Sequence, residues 1–128
     1  MNASIKELVI NGEVYIRKDD ASSVQGDTFA RNSEGLQCVI VGAGIGGIHV
    51  GFLKSKTGQE VTLVNARRIQ YWSGAASISE MAIRGVSKPG DCRFSAPVPE
   101  ITLTQAVEII PVSNKAQANL FGVPLWTR

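Results

Sequence analysis

The chain carries a glycine-rich motif, Val-Ile-Val-Gly-Ala-Gly-Ile-Gly-Gly, at positions 39–47. Gly42, Gly44 and Gly47 match the G-x-G-x-x-G spacing found where Rossmann domains bind a flavin or nicotinamide dinucleotide. In such a domain the third glycine opens a helix whose N-terminal amides meet the pyrophosphate, and the next strand ends in an acidic residue. The motif therefore predicts a parallel α/β fold only if the residues after it form a helix.

The residues after the motif favour a strand. Ile48, Val50 and Phe52 alternate with period two, as on a half-buried strand, and Lys54–Gly58 is typical of a hairpin turn. Asn65 stands where a Rossmann unit places its acidic residue. We therefore interpret the motif as a glycine-rich bend before a hairpin, and keep a flavin- or nicotinamide-binding Rossmann-type protein as the alternative.

The remaining pattern predicts a small α+β domain, rich in antiparallel strands, with two short helices. Ser77 and Glu80 have the spacing of a capping box at the start of a helix. Ser113 or Asn114 can cap a last helix that runs to about Phe121. The predicted strands are Leu36–Val41, Ile48–Leu53, Glu60–Asn65 and most of Ile101–Val112.

The N-terminal third has a different character. Leu8–Ile16 predicts a hairpin around Asn11-Gly12, and Lys18–Gly35 is rich in the small polar residues of a linker. We therefore expect one domain over residues 1–128, in which an N-terminal hairpin and linker (1–35) precede the main body (36–128).

Composition narrows the possible functions. A net charge of +2 is too small to predict binding to duplex nucleic acid, and no run of 18 apolar residues predicts a membrane span. Cys38 and Cys92 are expected to be free thiols, and the single histidine, His49, is interpreted as an ordinary strand residue without metal-ligand spacing. No nucleophile and base stand out as a pair, so we expect binding without catalysis and with no cofactor or metal.

The least ordinary cluster spans Asn65–Ala76. Arg67 and Arg68 offer planar donor groups suited to phosphate oxygens, and Tyr71 and Trp72 offer rings for base stacking, worth about 1–3 kcal/mol each. The cluster predicts a nucleotide site. A structural role is the alternative, since adjacent side chains on a strand point to opposite faces and the rings could belong to the core.

The same residues resemble a known family. The block Glu60–Ser79, with its Asn-Ala-Arg-Arg and Trp-Ser-Gly-Ala steps, is similar to a signature of the first type of Thoeris anti-defence protein, a family of small phage proteins. Further similar segments extend the resemblance over roughly residues 37–127; they are Gly85–Pro89, Cys92–Phe94, Ile109–Pro111 and Val123–Trp126.

The resemblance implies a non-enzymatic sponge. Members of that family bind the cyclic ADP-ribose isomer made by Thoeris immunity and do not cleave it, so the defence effector stays inactive in the cytoplasm of the infected host. They form dimers that build larger rings, commonly hexamers, with the ligand held between protomers. Some also bind cyclic oligonucleotides at a separate pocket. A structural or interaction domain with no small ligand is the third interpretation of the chain.

The resemblance also implies which residues meet the ligand. Arg67 and Arg68 are expected to bind the diphosphate, and the aromatic residues the adenine. The full set implied is Asn65, Arg67, Arg68, Trp72 and Phe94, with Arg93 and Thr104 as further members. Lys115 and Asn119 lie four apart on the predicted last helix and are expected to share a face in a second anion site. Gln70 departs from the family, which tends to carry an aromatic residue there.

Overall fold

An antiparallel sheet of six strands forms the centre of the fold, which the computed structural model describes for residues 29–127. The strand order is β4-β3-β2-β1-β6, and β5 pairs with β3 beside β4. The strands are β1 (Cys38–Gly42), β2 (Ile48–Thr57), β3 (Glu60–Tyr71), β4 (Arg93–Phe94), β5 (Val98–Leu103) and β6 (Glu108–Pro111), and the helices are α1 (Ile78–Arg84) and α2 (Asn114–Phe121). The predicted small, strand-rich α+β fold is thus confirmed.

The glycine motif leads into a hairpin, as its continuation predicts. A short 3-10 turn at Gly44–Gly46 connects β1 to β2, and these strands pair antiparallel from Cys38–Phe52 to Gly42–Ile48. The Rossmann interpretation of Gly42, Gly44 and Gly47 is therefore wrong, since it needs a helix and a parallel strand after the motif. For the residues after the motif, the period-two alternation predicts the structure correctly and the glycine spacing does not.

The strand β3 is longer than predicted and runs to Tyr71. Asn65 has a positive φ of 51°, and the β2–β3 register shifts between Val50 and Phe52. Such a bulge changes the alternation of side chains without ending the strand. The arginines therefore lie within the sheet, where the prediction had placed them just beyond a strand.

The two faces of the sheet carry separate apolar clusters. The face covered by the helices includes Ile40, Ile69 and Phe94, and the opposite face includes Val41 and Leu63. The link between β5 and β6 crosses that opposite face, because the Ala106 amide bonds the Gln59 carbonyl and the Val107 amide bonds the Gly42 carbonyl. The predicted strand over Ile101–Val112 is thus split in two by this crossing.

Both predicted helix caps are confirmed. The Ser77 hydroxyl accepts from the Glu80 amide, and Glu80 in turn accepts from the Ala76 amide. The Ser113 hydroxyl accepts from the Ala116 amide and donates to the Ile83 carbonyl, so it also ties α2 to the end of α1. Neither helix, nor any other within residues 29–127, is long and apolar enough to cross a membrane.

The boundary between linker and body differs from the prediction. Ala30 is buried in the helix-side core, and its amide donates to the Val112 carbonyl while its carbonyl accepts from the Cys38 amide. The body therefore begins before residue 36. The predicted hairpin Leu8–Ile16 lies outside the described residues.

Candidate functional site

Arg67 is part of the interior. Its side chain is 1% exposed and faces the helix-side core. Its Nε donates to the Ser95 carbonyl (2.7 Å), Nη1 to the Leu120 carbonyl (3.0 Å) and Nη2 to the Phe94 carbonyl (3.4 Å). Burial lowers the pKa of Arg67, and the guanidinium lies 5.2 Å from the centroid of the Phe94 ring. These contacts join β3, the β4–β5 link and the end of α2.

Two of the expected ligand residues are therefore corrected. Arg67 is buried and bonded to backbone carbonyls, and Phe94 is fully buried beneath it, so neither is open to a ligand in this fold. The expectation that Arg67 and Arg68 bind one diphosphate together is wrong, because adjacent side chains of β3 point to opposite faces.

Arg68 is exposed on the face opposite the helices. Its Nη1 donates to the Gly46 carbonyl at 2.9 Å, across the turn between β1 and β2. It lines a groove of about 350 Å³ between that turn and the end of β5, and Thr104 lines the same groove. The other lining residues are Ala43, Ile45, Gly46, Ile101, Thr102, Leu103 and Gln105.

Arg93 lies between two aromatic rings. Its guanidinium carbon is 5.9 Å from the centroid of Tyr71 and 5.3 Å from that of Trp126. Tyr71 is 53% exposed, and Trp126 is half-buried. The last segment of the described chain holds Trp126 here, because its amide donates to the Phe94 carbonyl at 3.0 Å.

The register places Arg93 and Arg68 on the same face. Ile69 pairs with Phe94, and both point into the helix-side core. Arg68 and Arg93 each adjoin one of these residues, so both point away from the helices. Tyr71 pairs with Arg93 across the strands and lies on their side as well. The surface formed by Arg68, Tyr71, Arg93, Thr104 and Trp126 is called the arginine face below.

Trp72 and Asn65 are placed apart from each other. Trp72 is half-buried against the helix-side core, and its Nε1 donates to the Ala75 carbonyl at 3.1 Å. That hydrogen bond closes the turn before α1, so Trp72 has a structural role on the helix side of the sheet. Asn65 is exposed at the bulge of β3, where its positive φ gives it a backbone role.

Lys115 and Asn119 line one groove near the end of α1, together with Arg84 and Ser87. The Asn119 amide, however, is already bonded to the backbone of Val86: its Oδ1 accepts from the Val86 amide (2.8 Å) and its Nδ2 donates to the Val86 carbonyl (2.9 Å). Asn119 therefore fastens the α1–β4 link to α2. This leaves Arg84 and Lys115 as the basic side chains of that groove, and the anion site expected there stays a prediction.

The cysteines and the histidine are all buried. Cys38 and Cys92 are free thiols, as predicted, and burial raises the pKa of Cys38 to about 12, so it is not a thiolate at neutral pH. His49 lies in β2, as predicted. Its burial and the charge of Arg68 lower its pKa to about 4.

Two members of the arginine face take roles that the resemblance had not given them. The resemblance includes Trp126 only within a similar segment, and the sequence offers Tyr71 only as a stacking surface beside Trp72. The signal for Tyr71 was its place in an arginine-rich strand. Trp126 meets Arg93 through the parallel contact of Leu125 with Phe94, and no local pattern in the sequence predicts that contact.

Comparison with known proteins identifies the family of the chain. Neither the curated proteins nor the solved structures contain a significant match to the chain. A family profile described as a domain of unknown function, DUF6948, matches residues 36–120, which include β1 to β6, α1 and most of α2. The chain belongs to the DUF6948 family.

Proposed function

We propose that the protein binds a cyclic ADP-ribose-type signalling nucleotide on its arginine face and sequesters it without cleavage. The observation that carries the proposal is the presence of Arg68 and Arg93 on one face of the sheet, where Arg93 lies between the rings of Tyr71 and Trp126. The sequence resemblance to Thoeris anti-defence proteins supplies the class of nucleotide. In this function the protein is a phage anti-defence sponge acting in the host cytoplasm.

The chemistry of the arginine face suits a diphosphate joined to a base. Guanidinium groups keep their charge at any physiological pH and present forked donors to phosphate oxygens. An aromatic ring gives a base a stacking surface worth about 1–3 kcal/mol. The hydroxyl and amide groups of Thr104 and Gln105, which line the Arg68 groove, are suited to a ribose.

The proposed role is binding, since the groups that carry the face are poor catalysts. Arg68 and Arg93 cannot accept a proton from an attacking water. His49, the single histidine of the chain, is buried, and its pKa is lowered to about 4. A general acid or base needs access to the ligand and a pKa near the working pH, so His49 is poorly suited to either role at neutral pH. A ligand held here is stabilised and not activated.

We further propose that two protomers close the site. A sponge that competes with a receptor needs roughly nanomolar affinity, about −12 kcal/mol, and an open groove on one chain buries too little of a nucleotide to supply it. Tyr71 is more than half exposed beside Arg93 and offers apolar surface to a second chain. A homodimer, assembled further into a hexamer, is the arrangement that the resemblance supports.

Sequestration is tested by recovering the ligand. The purified protein is incubated with cyclic ADP-ribose isomers, heat-denatured, and the supernatant is assayed for intact nucleotide. The proposal predicts that free nucleotide falls on incubation and returns intact on denaturation. A hydrolysed product would show an enzyme, and unchanged free nucleotide would show no binding. Cyclic oligonucleotides, tested in the same way, address the second class of ligand implied by the resemblance.

A further inference from the structure

His49 is a buried polar side chain without a partner. It is 2% exposed, and neither Nδ1 nor Nε2 makes a hydrogen bond in the structure of the described residues. Burying an imidazole in this way costs free energy that a hydrogen bond would recover. The cost points to an interaction that His49 makes in another state of the protein.

The position of His49 connects it to the Arg68 groove. Its partner on β1 is Val41 and its partner on β3 is Arg68, so the three side chains form a row across the sheet on the face away from the helices. Directly paired side chains have their Cβ atoms about 4.5–5.5 Å apart. Ala43 and Leu103 line the groove and share an apolar cluster with Val41. His49 is therefore the direct neighbour of Arg68 on the sheet, next to the groove that Arg68 lines, and does not itself line that groove.

The charge at His49 depends on what Arg68 binds. Burial and then the positive charge of Arg68 hold the pKa of the imidazole low, so His49 is neutral at pH 7. An anion on Arg68 offsets the second cause, and its oxygens offer an acceptor to an imidazole N–H. Both changes favour the protonated imidazole. Among the charged groups of the described chain, Arg68 is the one that lowers the pKa of His49. The side chain paired with His49 on β1 is Val41, and the β5–β6 link contributes Ala106 to the apolar cluster of the same face.

We propose that His49 is a second binding residue of the Arg68 groove, which holds a phosphate group together with Arg68 and gains a proton from solvent as the phosphate binds. The proton goes to the unprotonated imidazole nitrogen, and no bond of the ligand breaks. The inference rests on the proposed function only for the nucleotide that carries the phosphate. Any compact oxyanion of phosphate type has the chemistry that this pair recognises.

The first test follows the imidazole itself by NMR. Because the chain has a single histidine, the ring resonances of His49 need no assignment against others. The probe is inorganic sulfate, whose charge is constant between pH 5 and pH 8. The inference predicts that sulfate raises the pH at which His49 titrates in the wild-type protein and has no such effect in Arg68→Met. An unchanged titration of the wild-type protein at high sulfate overturns the inference.

The second test counts protons during binding of cyclic ADP-ribose. Calorimetry at pH 5, in buffers of different ionisation enthalpy, is expected to show that wild-type protein takes up most of one proton more than His49→Leu. Wild-type binding should be about tenfold tighter at pH 5 than at pH 7, and this gain should be absent from His49→Leu. Equal proton uptake by the two proteins overturns the inference. If His49→Leu does not fold, His49→Gln is compared instead.

The two tests separate this inference from the proposed function. If sulfate shifts the His49 titration but cyclic ADP-ribose does not bind, the proposed function fails and the phosphate-type site stands. If cyclic ADP-ribose binds with no proton uptake that depends on His49, the nucleotide function stands and the role of His49 fails.

Discussion

Two adjacent arginines of β3 have different roles because successive side chains of a strand point to opposite faces. Arg67 bonds three backbone carbonyls in the interior, and Arg68 lies at the opposite surface. The sequence marked both residues as unusual but could not say which of them was buried. That depended on the bulge at Asn65, which sets the alternation of side chains for the rest of the strand.

Replacing Arg67 is expected to cost stability. In Arg67→Met the length of the side chain is similar, but the part-buried Ser95 carbonyl loses its donor. The buried Leu120 carbonyl loses the guanidinium and keeps the Val123 amide at 3.4 Å, so the free energy of unfolding should fall by about 2–4 kcal/mol. Arg68→Met is the matched control and should change stability by less than about 1 kcal/mol. Urea denaturation measures both. A loss of less than about 1 kcal/mol in Arg67→Met would show that the hydrogen bonds of the Arg67 guanidinium do not stabilise the fold.

His49 should make the protein sensitive to acid. Its pKa is about 4 in the folded chain, against about 6.5 for an unfolded histidine. Below pH 6.5 the imidazole is protonated in the unfolded chain but stays neutral in the folded chain. The free energy of unfolding therefore keeps its full value above pH 6.5 and falls as the pH drops towards 4. The loss at pH 4 should reach about 3 kcal/mol.

The control for acid sensitivity is His49→Leu, which retains every carboxylate and lacks the imidazole. Urea denaturation at pH 7, 5.5 and 4 is expected to show a smaller loss for this variant than for the wild-type protein. Parallel losses in the two proteins would mean that the buried imidazole does not titrate as described.

At the scale of elements, local patterns predicted most of the fold. The alternation of Ile48, Val50 and Phe52 and the serine caps at Ser77 and Ser113 depend on neighbouring residues, and each is confirmed. The prediction was wrong where the backbone departs from regular geometry. Because of the bulge at Asn65, β3 continues to Tyr71 and does not end at residue 65. The β-branched composition of residues 101–112 predicts one strand, but the chain leaves the sheet after Leu103 and forms two strands, β5 and β6.

The backbone role of Asn65 and its expected ligand contact can be tested separately by substitution, because Asn65 has a positive φ that glycine also adopts. With φ at 51°, Asn65→Ala should lower the free energy of unfolding by about 1 kcal/mol, whereas Asn65→Gly should be close to neutral. Thermal denaturation compares the two. If the side chain also contacts the nucleotide, both variants should bind cyclic ADP-ribose more weakly. Normal binding by Asn65→Gly would leave Asn65 with the backbone role alone.

At the scale of the whole molecule, the arginine face is assembled from distant parts of the chain. Arg68 comes from the middle of the sequence, Thr104 from the crossing between β5 and β6, and Trp126 from the end of the described region. The sequence could name Arg68, Arg93 and Thr104 through its family resemblance. It could not place Trp126 against Arg93, since that contact depends on how the last segment packs beside β4.

The central claim is that Arg68 and Arg93 together bind a cyclic ADP-ribose-type nucleotide. The most direct measurement is the dissociation constant of cyclic ADP-ribose isomers for the wild-type protein, Arg68→Ala, Arg93→Ala and the control Arg31→Ala, an exposed arginine in the loop before β1. Each of the first two variants should weaken binding by about 1.5–3 kcal/mol, roughly tenfold to a hundredfold, and the control should bind normally. Unchanged binding by both Arg68→Ala and Arg93→Ala, or no binding by the wild-type protein, would contradict the account.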